Sequence, residues 1–323
     1  MRIFILSIIT LFSLSLFAQS PVLRLASDTW PPFTNVEKEK SIAMDLVKEA
    51  LARTGVKVDY TIVEFDDVIS GIDEAKYDGS AALWKDRERE EKYVFSKPYL
   101  HNQLILVGKK GSDVSAGSFD ELSGKRIGVV KNYSYKDFSG SEIEVVSGNS
   151  DQQNLSRLLS GQVDYMLVDN LLLQYLLKYQ VNDVHKFLEV AKTPIMVKPL
   201  HFALRKDVDD AESIIDGFNE QIGEMIADGT YNRILELNWV RADMDGDGKM
   251  ELVLSGDAAG TKPPEYAYDV HSGSFEDGTM KQQRFYVNGK IYNSWDQIPE
   301  DYKKEIVMGA IDPENTGIKL NFK

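Results

Sequence analysis

Arg89 is the residue whose possible chemistry the sequence specifies most clearly. It lies in a strongly charged stretch, 84–99, six residues before the segment 95–99. A guanidinium offers parallel donors that match the two oxygens of a carboxylate, and it stays charged at any ordinary pH. Arg89 is therefore a candidate buried receptor for a small carboxylate. The alternative is that it is one charge among many on a solvated helix face.

A second group of candidate ligands lies near the C-terminal end. Carboxylates alternate around a tight turn, followed by a backbone carbonyl and a further carboxylate: Asp243, Asp245, Asp247, Lys249 and Glu251. Oxygen ligands at this spacing suit Ca²⁺, so the segment predicts a structural calcium loop. A helix-loop-helix site would have glutamate where Leu254 stands, so this loop resembles the shorter loops of dockerin-like or β-propeller-like modules. The alternative is a plain acidic turn.

Composition excludes several kinds of chemistry. The 323 residues contain no cysteine, which excludes disulfides, a lipidated cysteine anchor, thiolate metal sites and cysteine catalysis. The four histidines, at 101, 185, 201 and 271, show no mutual spacing that indicates catalysis. The net charge of −14 opposes binding to nucleic acid and to anionic membrane surfaces.

The N-terminal segment predicts export. Met1 and Arg2 precede an almost wholly apolar run, 3–17, which is shorter than the roughly 20 residues that a spanning helix needs. We expect a signal peptide over residues 1–18, cleaved after Ala18. Loss of Arg2 would change the charge from −14 to −15. The mature protein is expected to be a periplasmic monomer.

Short apolar strands alternate with amphipathic helices from Val22 onward, which is typical of parallel sheets covered by helices. The pattern predicts strands 22–26, 56–62 and 79–83, a helix capped by Ser41 and ended by Gly55, and a helix over 66–75. It continues with strands 126–130 and 143–146, a turn at 131–135, a helix over 151–160, a returning strand at 197–204 and a helix over 209–227.

The two halves repeat one feature, an aspartate in the turn between a helix and an apolar strand: Asp78 in the first half and Asp164 in the second. The predicted fold is therefore α/β with two lobes and two crossover strands. Lobe 1 comprises 19–107 and 200–240, lobe 2 comprises 108–199, and a C-terminal extension comprises 241–323. A cleft between such lobes is where a small ligand binds.

Landmarks in a fixed order identify a family resemblance: 23–25 leading to 30–33, then 64–69, Glu88-Arg89 with 95–99, 122–129, 161–164 up to Asp169, and 227–234. On the basis of these landmarks, residues 22–239 resemble the periplasmic solute-binding proteins of the polar amino acid type. Members of that family are receptors of ATP-driven importers. The resemblance implies a cleft that binds an amino acid and an importer complex in the membrane as the partner.

The resemblance also assigns roles to particular residues. It places Arg89 on the α-carboxylate of the ligand and Asp169 on the α-ammonium. Trp30 and Phe65 correspond to aromatics on the two faces of the ligand side chain, and Ser134 to a hydroxyl that holds the carboxylate. In the alternative, Trp30 and Phe65 are core residues, and Ser134 and Asp169 cap helices.

This chain also departs from the family. Ala82 and Trp84 stand where members usually have small hydroxyl residues or glycine. Trp84 either fills part of the pocket, favouring a smaller or differently shaped ligand, or points away as core. Asp28 resembles, weakly, the acidic residue that meets the side-chain cation in receptors for basic amino acids.

The extension beyond residue 240 predicts a small α+β appendage. It contains a strand at 250–254, a Gly-rich and acidic linker at 257–281, a hairpin at 284–292 with Asn288-Gly289 as its turn, and a helix over 298–308. Its simplest role is a stabilising cap on lobe 1. Two other functions remain open: a periplasmic enzyme of dehydratase type on the same scaffold, and a ligand-sensing module.

Overall fold

A computed structural model describes residues 22–135, 138, 142–179, 184–254, 263, 266–277 and 283–303. The predicted signal peptide at 1–18, about half of the predicted linker 257–281 and residues 304–308 of the predicted helix 298–308 lie outside these residues. Within them, no helix has the length and apolar character required to cross a membrane.

The first α/β unit comprises strands β1 (Val22–Ser27), β2 (Lys57–Ile62), β3 (Gly79–Leu83) and β4 (Tyr93–Phe95), with helices α1 (Ile42–Arg53), α2 (Phe65–Asp73) and α3 (Arg87–Lys92).

Strand β5 (Leu100–Lys109) leads to the second α/β unit, which comprises strands β6 (Arg126–Val130), β7 (Glu144–Gly148), β8 (Tyr165–Asp169) and β9 (Leu188–Val190), with helices α4 (Asp151–Ser160) and α5 (Asn170–Tyr179). Strand β10 (Met196–Arg205) returns to the first unit, which is completed by helices α6 (Ala211–Ala227) and α7 (Thr230–Leu235).

Strands β5 and β10 connect the two units. The main sheet has the order β2-β1-β3-β10-β5-β8-β6-β7, with β4 added to β10 and β9 added to β5. Strand β10 pairs with β3 through residues 201–204 and with β5 through Met196 to Leu200, whereas β5 pairs with β8 through Leu104 to Gly108. The chain therefore crosses between the units twice, along a pair of antiparallel neighbours.

A matching arginine–aspartate pair locks the first strand of each unit. The backbone N–H and the guanidinium of Arg24 bind the Asp78 carboxylate at 2.6–3.2 Å. Arg126 binds Asp164 in the same manner at 2.8–3.2 Å. A planar fork that meets both carboxylate oxygens fixes orientation as well as charge. These aspartates are the two whose repetition the sequence pattern indicated.

Ser41 does not cap helix α1 as predicted. It occupies the position before the helix, but its hydroxyl donates to the Glu39 carbonyl at 3.3 Å and makes no cap hydrogen bond. The predicted end of this helix is confirmed, because Gly55 adopts a left-handed φ of 81°. Helix α1 packs against α6 through a wholly buried face that includes Leu46, Ala50 and Leu51.

The C-terminal extension forms a separate sheet. Its strands are β11 (Trp239–Ala242), β12 (Glu251–Leu254), β13 (Tyr266–Asp269), β14 (Phe275–Asp277), β15 (Arg284–Val287) and β16 (Lys290–Tyr292), in the order β14-β13-β11-β12-β15-β16. Strands β13 and β14 lie within 257–281, so the prediction of a linker is wrong for these residues, which pair with each other and with β11. Helix α8 (Glu300–Lys303) follows. The predicted hairpin is confirmed, with positive φ at Asn288 and Gly289 as a two-residue turn requires.

This second sheet contacts crossover strand β5 as well as the first unit. The His101 N–H donates to the Tyr268 hydroxyl at 3.3 Å, and the Gln103 amide donates to the Gly273 carbonyl. A Cβ at position 273 would overlap the side chain of His101, so only glycine permits this approach. A cavity of about 40 Å³ lies at the junction, lined by His101, Tyr268 and Asp169 among others. The extension is therefore more than a cap on the first unit.

Candidate functional site

The candidate site lies between the two units, where strands β1, β2, β3, β6, β7 and β8 end. The residues at or just after these carboxyl ends are Asp28 and Trp30, Phe65, Trp84, Tyr133, Asp151 and Asp169. Carboxyl ends of strands are where α/β proteins bind small ligands, because the chain turns there and leaves side chains free to converge. We call the space between these residues the cleft.

Arg89 is buried, whereas its charged neighbours on the same short helix are exposed. Its side chain is 10% exposed, and α3 is capped by Asp86, which accepts from the Arg89 N–H at 2.9 Å. Nη1 donates to the Trp84 carbonyl at 2.8 Å and Nη2 to the Asn132 carbonyl at 3.2 Å, while Nε lies 3.5 Å from the Asp86 carboxylate. Burial lowers the pKa of this guanidinium. A solvated helix face describes the neighbours of Arg89 but not Arg89 itself.

Aromatic rings cluster beside Arg89, whose Cζ lies 5.6 Å from the centroid of the Phe65 ring. Tyr133 lies edge-on to Trp30, Phe65 and Trp84, with ring centroids 5.7, 4.9 and 5.3 Å away. Trp84 is buried, and its indole N–H donates to the Asn102 amide oxygen at 2.7 Å. Trp84 is therefore a buried core residue whose ring also contacts Tyr133 at the cleft.

The Asp169 carboxylate caps helix α5, which is the alternative role considered for it. One oxygen accepts from the N–H groups of Leu171 and Leu172 at 2.8 and 3.1 Å, and the other accepts from the Asn102 amide at 3.2 Å. Burial is the main reason that its pKa rises to about 7. Asn102 links this carboxylate to Trp84, so the two predicted site residues share one polar network.

Two further carboxylates face the cleft. Asp28 accepts a hydrogen bond from the Tyr133 hydroxyl at 2.9 Å, and burial raises the pKa of Asp28 to about 6. Asp151 begins helix α4; burial, and then the charges of Asp28 and Asp169, raise its pKa to about 7. The cleft thus holds three carboxylates with raised pKa values, and the Lys198 ammonium lies 5.4 Å from the centroid of the Trp84 ring.

Ser134 does not cap a helix in the described residues. It lies in the turn after β6, and its hydroxyl donates to the Asp86 carboxylate across the cleft. Residues 136–137 and 139–141, which a helix capped by Ser134 would include, lie outside the described residues, so the capping alternative stays a prediction. The Ser134 hydroxyl lies on the same carboxylate that caps the helix of Arg89, which places it beside the guanidinium.

Sequence reasoning missed Tyr133 and Asp151. Both were assigned to ordinary turns and helices, although each follows the carboxyl end of a predicted parallel strand. That position was the available signal. The position of Tyr133 after a strand could not reveal that its ring contacts Trp30, Phe65 and Trp84 of the first unit.

The aspartate loop of the extension brings its three carboxylates within 4.8 Å of one another, and all three are exposed. Arg284 donates to Asp245 at 2.7 Å and to Asp247 at 2.8 and 2.9 Å. Glu251 is fully buried beneath the loop, and burial raises its pKa. The group could hold a metal ion, and the sequence did not predict that Arg284 supplies a positive charge to it.

The α/β fold, with a charged and aromatic cleft between two units, defines a protein that binds a small solute. Residues 23–241 match the bacterial extracellular solute-binding proteins, family 3. The match covers more than half of the chain, and the chain belongs to this family. The resemblance drawn from the ordered landmarks is confirmed.

Known relatives and structures agree on this class. The chain is 26% identical over 223 residues to the L-cystine-binding protein TcyA of Bacillus subtilis, covering 67% of this chain and 80% of that protein. It is 26% identical over 224 residues to the lysine/arginine/ornithine-binding periplasmic protein of Escherichia coli, covering 65% and 85%. The structure of an ancestral arginine-binding protein bound to arginine is similar, with 27% identity, a TM-score of 0.57, and 68% and 98% coverage.

Proposed function

We propose that this protein is a periplasmic receptor that binds an amino acid between two lobes and delivers it to an ATP-driven importer. The two α/β units would be the lobes, with 19–107 and 200–240 in the first and 108–199 in the second. Strands β5 and β10 would be the hinge. Family membership and the amino acid named for each relative support this proposal. The protein would act as a monomer and carry out no catalysis.

The buried guanidinium of Arg89 carries the proposal. Its ion pair with Asp86 is made through Nε at 3.5 Å, whereas its two Nη atoms donate to main-chain carbonyls, which a ligand carboxylate could replace. A carboxylate can meet both donors at once and can also reach the Ser134 hydroxyl. In the proposed complex Arg89 and Ser134 hold the α-carboxylate, and Asp169 attracts the α-ammonium.

We infer further that the ligand side chain carries a positive charge. Asp28 accepts a hydrogen bond from the Tyr133 hydroxyl, and the ring that carries this hydroxyl contacts both Trp30 and Phe65. A side chain that lay between these two aromatics could therefore reach Asp28. Aromatic faces bury an aliphatic stem and attract a cation at its end. L-Arginine fits this pattern and serves as the test ligand.

Thermal-shift screening tests the proposal. Among the twenty amino acids at pH 7.5, cationic ones should raise the melting temperature most, and Arg89→Ala should abolish the shift. Arg87→Ala is the matched control, because Arg87 lies on the same helix but is exposed. If no amino acid stabilises the wild-type protein, the proposal is wrong.

A second candidate function is an enzyme on the same scaffold. It is favoured by Asp28 and Asp151, whose pKa values of about 6 and about 7 lie in the range useful for a general acid. Incubation of the protein with its stabilising ligands and with aromatic-pathway intermediates, followed by NMR, separates the two functions. A chemical change would favour the enzyme, and an unchanged ligand the receptor.

We also propose that the aspartate loop binds Ca²⁺ through the carboxylates of Asp243, Asp245, Asp247 and Glu251 and the carbonyl of Lys249. The oxygen-only donor set and the close approach of the three aspartates support this assignment. Arg284 would then share these carboxylates with the ion.

Chelation tests the calcium loop. At a concentration about 100 times its dissociation constant, a bound ion stabilises the fold by about 2.7 kcal/mol, so EGTA should lower the melting temperature by several degrees. Asp245→Ala should remove this response. Arg284→Gln removes the competing cation together with its 2.9 Å ion pair to the buried Glu251 carboxylate. It should lower the overall melting temperature but retain the response to EGTA. A melting curve that EGTA does not move would contradict the assignment.

A further inference from the structure

The side chain of Tyr133 occupies the position that the proposed function gives to the ligand side chain. Its ring belongs to the second unit but lies among Trp30, Phe65 and Trp84 of the first, at centroid distances of 4.9–5.7 Å. Edge-to-face contacts at these distances are favourable packing. Two of these three partners are the aromatics expected on either side of a bound ligand.

The polar groups expected to recognise a ligand are also engaged by this turn. The Tyr133 hydroxyl donates to Asp28 at 2.9 Å, as the cationic end of a ligand would. The carbonyl of Asn132 accepts from Nη2 of Arg89 at 3.2 Å, as a carboxylate oxygen would. The segment 132–133 thus makes the contacts expected of a ligand's carboxylate, of its side-chain stem and of its cationic end.

Flanking contacts hold the same turn against the first unit. Lys131 forms an ion pair with Asp66 at 3.0 Å, Asn132 donates to the same carboxylate, and Ser134 donates to Asp86. Asn132 adopts a left-handed φ of 62°, which turns its carbonyl and its side chain toward the first unit. This turn therefore joins the two units across the cleft.

We propose that Tyr133 is an internal occupant of the ligand site: it holds the ligand-free cleft closed, and a ligand binds only after this side chain has left. This inference rests on the proposed function for the identity of the site. The occupied state reduces apparent affinity, because only the fraction of molecules with Tyr133 displaced can bind. It also selects against small amino acids, which cannot replace the ring and its hydrogen bond to Asp28.

The opposite role for Tyr133 would be a direct contact with the bound ligand. The two roles predict opposite signs when the side chain is removed. An internal occupant competes with the ligand, so its removal strengthens binding. A ligand contact adds to affinity, so its removal weakens binding.

Titration of L-arginine and L-alanine into wild-type protein, Tyr133→Phe and Tyr133→Ala provides the test. Tyr133→Ala should bind L-arginine about tenfold or more tightly than the wild type. Tyr133→Phe, which loses only the bond to Asp28, should lie between them. The preference for L-arginine over L-alanine should narrow in Tyr133→Ala. Equal or weaker binding of L-arginine by Tyr133→Ala would overturn the proposal.

Small-angle X-ray scattering of the ligand-free proteins gives a readout that needs no ligand. The wild type should be compact and Tyr133→Ala more expanded, with far-UV circular dichroism confirming that both are folded. Equal radii of gyration would overturn the internal-occupant proposal. If no amino acid binds any variant but this difference in size is found, the proposed function fails while the proposal for Tyr133 stands.

Discussion

Burial gives the carboxylates of the cleft a protonation behaviour that exposed aspartates lack. It raises the pKa of Asp28 to about 6 and the pKa values of Asp151 and Asp169 to about 7. Their protonated forms are therefore favoured in the folded cleft. The stability that this contributes is complete below the unfolded pKa of about 4, and it is lost as the pH rises through about 6 to 7. Binding of a cationic ligand instead requires these carboxylates to be ionised.

Ligand affinity should consequently depend on pH. Between pH 7.5 and 5.5, protonation of Asp28 and Asp169, the proposed partners of the side-chain cation and of the α-ammonium, should weaken L-arginine binding about tenfold or more. Titration calorimetry at intermediate pH values measures this. Asp28→Asn should bind more weakly at pH 7.5 and show a flatter profile. An affinity that is constant or rises toward pH 5.5 would contradict the assignment.

At the scale of elements, the sequence was informative wherever structure is local. Strands β3 and β6 and helix α4 were predicted at their observed bounds, because apolar periodicity and glycine positions mark them. The repeated aspartates Asp78 and Asp164 were recognisable from spacing alone. Their arginine partners could not be recognised from the sequence, because Arg24 lies 54 positions from Asp78 and Arg126 lies 38 positions from Asp164. Pairings of that kind depend on tertiary packing.

The contact between the extension and strand β5 gives a prediction at this scale. Gly273→Ala should lower the melting temperature by about 4–8 °C more than Gly111→Ala, since overpacking typically costs about 2 kcal/mol. Both glycines have positive φ, but only a Cβ at 273 would overlap His101, whereas the space around Gly111 is open. Equal effects of the two substitutions on thermal denaturation would show that this close packing contributes nothing.

At the scale of the whole molecule, sequence reasoning identified the family and the cleft but not how distant parts meet. Arg89 and Asp169 were placed by ordered landmarks. Contacts such as His101 with Tyr268, separated by 167 positions, have no local pattern to indicate them. Tyr133 was missed for a related reason: its role exists only when the two units approach each other. The extension contacts crossover strand β5, which joins those units, so a motion that brings the units together would also change the contacts of the extension with this strand.

The central claim is that Arg89 binds the α-carboxylate of an amino acid. Titration calorimetry of L-arginine and L-argininamide, which lacks that carboxylate, into wild-type protein, Arg89→Ala and Arg87→Ala tests it most directly. Wild type and Arg87→Ala should bind L-arginine equally well and should not bind the amide. Arg89→Ala should lose about a hundredfold or more in affinity, as expected when one partner of a buried ion pair is removed. Undiminished binding by Arg89→Ala, or equal binding of the amide by the wild type, would contradict the claim.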